Sequence, residues 1–572
     1  MDIARIQKRL QAARGEVDAE LVLAGGWVAN VYMGEWLRQN VALYDGVIVG
    51  LGDYRGPRLE IAGKYVVPGF IDGHLHLESS LLTPAELSRA LLPRGTTTIV
   101  ADPHEIANVW GARGLEYLLQ AAEGLPVDIF FMLPSCVPAS GLGTSGAVLT
   151  AQDLEPYVDH PRVLGLAEVM NFPGLIAGDS DLLAKMGRFA KRPRDGHAPL
   201  LSGFALNAYR LPGIGSDHES TRAAEAWEKL RLGFYIGIRE GSLAKNLADL
   251  VEVIKPATYR RLLLVTDDCH PGDLLALGHL DHRLRKAVSL GVEAIQALTM
   301  VTLNPAEYFG LKERGAIAPG LVADLVVVED CETFRVDKVI KNGQLVVEGG
   351  RLRPEVRFPE VTAPQLPMQV KPLTREVLFP VVTEATAKVI GVITDQLLTE
   401  KRLLPTPVHE GRLATDPERD VLKLVVVERH RGTGNVGVGL IQGFGLRVGA
   451  LASSVAHDCH NLIAVGADED DILLALEHVR RLQGGMTVVA HGRILADLPL
   501  PVAGLLSPAP LETVAAAYEA LTKAYRSLGG VLGDPFMTLS FMALEVIPAL
   551  KLTDQGLVEV DRFQVVPLFG SD

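Results

Sequence analysis

The stretch VVPGFIDGHLHLESS, residues 66–80, ends an apolar run in two histidines one residue apart, followed by a glutamate and two serines. His74 and His76 are two positions apart, so on a strand both imidazoles leave from the same side. Such a pair suits the rim of a barrel, where functional side chains collect at strand ends. The same rhythm recurs along residues 67–315. Apolar runs end in polar residues at TTTIVADPHE, VDIFFMLPS, VLGLAEVM, DGHAPLLSG, GIGSDHES, FYIGIREGS and LLLVTDD. Helical spacing of apolar positions, as in ESTRAAEAWEKLRLG, lies between several of them. With the first stretch this makes eight strand ends, and about 250 residues is the usual size of a (β/α)8 barrel. The polar residues at these ends then meet on one face, although they are far apart in the chain.

Around this barrel the chain changes character. Residues 20–66 read as short strands broken by glycines, and AIAPGLVADLVVVEDCETFRVDKVIKNGQLVVEGG at 316–350 has the same pattern. The expectation is a discontinuous small β domain, 1–66 plus 316–360, flanking a barrel over 67–315. The proline-rich stretch 353–372 has no helical period and reads as a boundary. Residues 373–572 mix strands such as VLKLVVVER with helices such as LETVAAAYEALTKAYRSLG. They are expected to form a separate C-terminal α/β or α+β domain. The fold class is therefore α/β, a (β/α)8 barrel with a discontinuous small β domain and a C-terminal α/β (α+β) domain.

Composition limits the function. The chain has 572 residues, more than one ordinary core accommodates. Its 69 acidic against 55 basic side chains leave a formal charge of -14, which repels nucleic acid phosphates and anionic membranes and points to a small substrate. Four scattered cysteines make neither a disulfide framework nor a CxxC metal site, and suit a reducing cytoplasm. The charged N-terminus lacks the apolar core of a signal peptide, and no apolar run is long enough for a membrane span.

The candidate metal ligands follow from the strand ends: His74 and His76 at strand 1, Glu168 at strand 4, His197 at strand 5, His218 at strand 6, and Asp267 or Asp268 at strand 8. Imidazoles with carboxylates suit zinc, iron or manganese. Six protein ligands exceed what one ion with an open position needs, so two ions with Glu168 between them are expected. Taken singly, each residue has a plainer reading: a polar pair at a strand end, a capping histidine, a salt-bridge partner. Their coincidence at five strands of one barrel favours the metal.

These residues resemble the amidohydrolase superfamily and, within it, the adenine deaminase family. The resemblance is carried by VVPGFIDGHLHLESSLLTP, GTTTIVADPHEIANV, GLAEVMNFPG, DGHAPLLSG, GIGSDHEST, LRLGFYIGIREGS, VTDD, GAIAPGLVADLVV and LASSVAHDCHNLIAVG, and by PFMTLSFMALEVIPALKLTDQGL near the end. It implies hydrolysis of adenine to hypoxanthine and ammonia in purine salvage, at a binuclear manganese or iron site, with zinc as a further option. A cytoplasmic homo-oligomer, a dimer or larger, is what related barrels suggest. Val301 and Cys459 depart from the family pattern without touching a proposed ligand.

For that chemistry, cations would lower the pKa of water from about 15.7 towards about 7, and the resulting hydroxide would attack C6 of the purine. Asp267 is the candidate proton shuttle and Glu219 the candidate acid for ring nitrogen N1. Asp268 is a candidate acceptor for the purine edge. His104 and Glu105 at strand 2, and Arg239, Glu240 and Ser242 at strand 7, are candidates for substrate contact or ligand orientation. His457, Asp458 and His460 read as a turn with capping polar residues, with closure over the barrel mouth or an extra metal as alternatives. The GxGxxG pattern at Gly432, Gly434 and Gly437 is expected to be tight turns, since no helical pattern follows. The rivals to an adenine deaminase are an amidohydrolase acting on another base or cyclic amide, and a non-catalytic binding barrel.

Overall fold

The computed structural model describes residues 2–394 and 396–570. Eight strands form its central ring: β1 Phe70–Leu75, β2 Thr96–Ala101, β3 Asp128–Leu133, β4 Val163–Val169, β5 Arg194–Gly196, β6 Ser216–Asp217, β7 Tyr235–Arg239 and β8 Leu262–Val265. Neighbours pair in parallel from β1 to β5 and from β6 to β8. Two seams join these arcs. At one, the Gly215 amide donates to the Arg194 carbonyl at 2.8 Å. At the other, Leu75 bridges Asp267 in parallel. The strands are buried along nearly their whole length, which explains their near-continuous apolar runs. A Cβ at Gly196 would lie 2.4 Å from the Ser216 carbonyl oxygen, so glycine is what lets β5 and β6 close up.

Helices Pro84–Leu91, Ala112–Ala121, Ala223–Arg231 and Leu280–Ser289 cover the ring. The third starts later than the apolar spacing of ESTRAAEAWEKLRLG suggests. Asp217 captures the Glu219 amide at 3.2 Å and the Ser220 hydroxyl at 3.0 Å, so the chain leaves β6 as a turn before it can coil.

The two flanking β segments pair with each other. Leu325–Val328 runs antiparallel to Tyr65–Pro68 inside a seven-stranded sheet that also holds Trp27–Asn30 and Val336–Lys341. Leu23, Val28, Val41, Val66, Leu325 and Ile340 share one buried cluster there. The last third of the chain folds around an eight-stranded sheet with Val421–Val427 near its middle. Helices Glu469–Leu482 and Leu511–Ser527 accompany it. Val421–Val427 returns antiparallel as Val436–Gln442, so the GxGxxG glycines lie in and just beyond the turn of a hairpin, and no dinucleotide-binding helix follows. Among the described residues no helix is long and apolar enough to cross a membrane.

The C-terminal third reaches the barrel directly. Ser507 and Leu81 pair through their backbones at 2.7 Å, the Thr144 hydroxyl donates to Asp554 at 2.6 Å, and the Ser140 hydroxyl donates to Glu545 at 2.7 Å.

At the opposite side, Asp128 on β3 accepts from Lys341 at 2.6 Å and Arg314 at 2.7 Å, tying the ring to the returning β segment. Burial opposes the charge, but Lys341 and Arg314 outweigh it and hold the Asp128 carboxyl at about 2. A carboxyl depressed this far contributes about 2 kcal/mol of stability above pH 4, lost as the pH falls from about 4 to about 2. Asp128→Asn is therefore expected to lower the denaturant-unfolding free energy at pH 7 by about that amount. The gap to the parent should close in the same titration below pH 3; a gap independent of pH would refute the assignment.

Candidate metal centre

The seam between β1 and β8 builds the first half of the site. The Asp267 amide donates to the His74 carbonyl at 3.0 Å, and the Asp267 carbonyl accepts from the His76 amide at 3.1 Å. Asp267 adopts a left-handed φ of 60°, an uncommon conformation held by these two bonds. As a result its Oδ1 lies 3.4 Å from His74 Nε2 and 3.1 Å from His76 Nε2.

The second half comes from β5 and β6. Asp217, at the end of β6, is fully buried and accepts from Lys229 at 2.7 Å and from the Ala198 amide at 2.9 Å. It thereby holds the loops that carry His197 and His218. Their rings meet edge to face at 5.5 Å, and His218 stacks on His74 at 4.0 Å.

Glu168, from the end of β4, stands between the halves. Its Oε2 is 2.7 Å from His197 Nδ1 and 2.9 Å from His218 Nε2. Its Oε1 faces the other way, 3.5 Å from His76 Nε2 and 3.7 Å from His104 Nδ1. The donors also include Asp102, whose Oδ1 is 3.2 Å from His104 Nδ1. Three groups of ligand atoms, His74–His76–Asp267, His74–Glu168–His218 and His76–Asp102–His104–Glu168, are each mutually close enough to hold an ion.

The donor set fits a pair of divalent cations. His74 Nε2, His76 Nδ1, His104 Nδ1 and Asp102 Oδ2 are buried without a hydrogen-bond partner, a costly arrangement for polar atoms unless an ion or a substrate completes some of them. Burial alone would depress the His197 imidazole, yet Glu219 and Glu168 outweigh it and lift it to about 9. Burial likewise opposes ionisation of Glu168, and His197 and His218 prevail, holding it well below the usual carboxylate range. A pocket whose carboxylates retain protons on neighbouring imidazoles has a field that favours positive charge, and a cation can replace those protons.

The remaining candidates divide. Arg239 forks onto Glu219, with Nη2 to Oε2 at 3.1 Å, and also donates to Asp267 Oδ2 at 3.1 Å. Asp268, His104 and Glu105 line the same cavity, and Asp268 accepts from the Ser79 hydroxyl. Glu240 and Ser242 do not reach it. Glu240 turns to Lys286 at 2.5 Å, and the Ser242 hydroxyl accepts from the His270 amide at 2.9 Å, so both fasten the loop after β7. Glu78 of the opening stretch accepts from the Ile106 amide at 3.0 Å, fixing the helix that begins at His104.

The His457–His460 segment is more than the capped turn its sequence suggests. His457 Nδ1 lies 2.7 Å from Glu105 Oε1, and His460 Nε2 bonds the other Glu105 oxygen. His460 Nδ1 accepts from the Ala456 amide at 3.1 Å, so a neutral ring carries its proton on Nε2, towards Glu105. That arrangement is a hydrogen-bonded lock between the two parts of the chain and leaves Nε2 no lone pair for a metal.

A family model described as the amidohydrolase family matches residues 65–346, and one described as the adenine deaminase C-terminal domain matches residues 396–564. The chain is 47% identical over 565 residues to adenine deaminase 2 of Carboxydothermus hydrogenoformans, covering 98% of this chain and 99% of that one. The chain belongs to the adenine deaminase family. Adenine deaminases of Methanothrix thermoacetophila and Desulfatibacillum aliphaticivorans are 46% and 44% identical to it, each covering at least 98% of this chain and 99% of its own. Both the barrel and the last third of this adenine deaminase family member are thus matched.

Asp102, within the site, and Asp217, which fastens the loops behind it, are residues that sequence reasoning passed over. Each sits at a strand end beside a chosen histidine, in ADPHE and GSDHES, and that position was the available signal. The centre makes a direct prediction. Elemental analysis of the protein as isolated should find about two divalent ions per chain, and Glu168→Ala should lose more metal than His74→Ala because it faces both halves. Retention should fall progressively as the pH drops below about 9, where protons begin to compete for the His197 imidazole. Full metal content in Glu168→Ala would exclude the bridging role.

Proposed function

We propose that this protein hydrolyses adenine to hypoxanthine and ammonia, with His74, His76, Asp267, Glu168, His197 and His218 holding two divalent cations. The observation that carries the reading is the split of Glu168 between two sets of imidazoles, 2.7–2.9 Å on one side and 3.5–3.7 Å on the other. Bound cations would supply Lewis acidity and deprotonate water near neutral pH. The imidazole and carboxylate donors suit Mn2+ or Fe2+, with Zn2+ the competitor that imidazole favours. Four free thiols, none in the donor set, agree with a cytoplasmic setting.

The protein's own groups manage two protons. Attack forms a C6–O bond and pushes electron density onto N1; expulsion breaks the C6–N bond and needs a proton on the leaving amine. Asp267 takes the first proton of the attacking water and delivers it to that amine. Glu219, 3.6 Å from both His197 and His218, relays the second to N1. Arg239 positions both carboxylates at once, since it bonds Glu219 and Asp267 with one guanidinium. Asp268 and His104 face the substrate from the rim.

Ammonia release from adenine, N6-methyladenine and cytosine by the Mn2+-loaded protein tests this reading. Adenine is expected to be the preferred substrate. Asp267→Asn is expected to lose roughly 10²–10⁴-fold in kcat, with adenine binding less affected. A protein that retains its cations yet releases no ammonia from adenine would refute the proposal.

A further inference from the structure

The proton scheme makes no use of the buried Asp458 carboxylate. Asp458 is 4% exposed, and its Oδ2 has no hydrogen-bond partner. Its Oδ1 is 4.0 Å from His104 Nε2 and 4.0 Å from His457 Nδ1, beyond hydrogen-bond reach of either. Yet Asp458 lines the same cavity as Glu168, His197, His218 and Asp267. A carboxylate buried without donors is costly, and the free oxygen requires a donor from whatever occupies the cavity.

The wall around it is built from the C-terminal third of the chain. Leu397, Phe541, Leu544 and Ile547 present apolar surface to the cavity. The Phe541 ring lies parallel to the His457 imidazole, 4.7 Å away at 11°. The wall is fixed from behind. Lys551, buried, donates to the Leu397 and Phe541 carbonyls at 2.9 Å each, and Glu105 of the barrel holds both His457 and His460. An apolar wall with one acceptor at its edge matches a planar heterocycle: the faces are apolar and the rim carries N–H groups.

We infer that Asp458 is a substrate-binding residue, whose free oxygen accepts a hydrogen bond from an N–H of the purine held against the apolar wall. Adenine offers such donors in its 6-amino group and its imidazole N–H. His104 stands between Asp458 and Glu168, 4.0 Å from one and 3.7 Å from the other, so the acceptor lies about one imidazole away from the Glu168 carboxylate. A purine whose C6 faces the cluster reaches it. On this account the barrel has the reactive groups, and the C-terminal domain completes the binding site.

The inference rests on the adenine reading, and steady-state kinetics separate the two. With Mn2+-loaded Asp458→Ala, KM for adenine is expected to rise roughly tenfold or more while kcat changes less, with metal content and thermal midpoint as in the parent. Asp458→Asn, which keeps one acceptor oxygen, should fall between. Phe541→Ala should raise KM independently. An active parent whose KM is unchanged by Asp458→Ala overturns this inference alone, as does a variant that loses metal or kcat with KM intact. A metal-loaded parent inactive on adenine overturns both readings.

Discussion

Two backbone hydrogen bonds between Asp267 and the His74–His76 segment govern the geometry of this protein. They close the ring where its last strand meets its first. In the same step they set an aspartate carboxylate opposite two imidazoles. The left-handed φ at Asp267 is the local cost of turning the chain so that its amide, its carbonyl and its side chain all serve this seam. Barrel closure and assembly of the first candidate ligand group are therefore one event. A ring that failed to close there would separate the carboxylate from the imidazoles as well as losing two hydrogen bonds.

The second constraint is charge. Glu168, Asp267, Asp102 and Glu105 are all buried at the mouth, and such a density of carboxylate cannot persist without compensating positive charge. Imidazoles and Arg239 provide part of it. The Arg239 guanidinium joins Glu219 to Asp267 and so links the two groups assigned to proton movement. Asp217 works in the same economical way from outside the site, with Lys229 as its counter-ion, by fastening two loops with one carboxylate. What remains uncompensated is a field suited to cations, and the unpartnered nitrogens of His74, His76 and His104 lie within it.

The C-terminal part of the chain gives the site its enclosure. Its His457 and His460 grip Glu105, and Phe541 and Asp458 border the cavity. This contact holds the last third of the chain against the barrel. Glu105, placed by the helix that starts at His104, reaches back to bind it. The Glu78 carboxylate that follows the paired histidines fixes the start of that helix, so the opening stretch of sequence supports this interface as well as the metal centre.

The barrel and most of the side chains gathered at its mouth were legible in the chain because both leave periodic traces. A strand buried on two faces must be apolar, and its end must change to polar residues where the ring meets the cavity. His74, His76, Glu168, His197, His218 and Asp267 all stand at such ends. The expectation for Glu240 and Ser242 failed because a strand end has two sides: Arg239 points into the cavity, whereas its neighbours meet Lys286 and the His270 amide. Asp458 and the Glu105 lock could not be read from spacing, since more than three hundred residues separate them and no period connects a turn in one sheet with a helix start in another. By itself the sequence determined a ring of strands and the chemistry at their ends. Only the tertiary structure decided which of those groups face one another, because contacts between distant segments depend on how the ring closes and what packs over it.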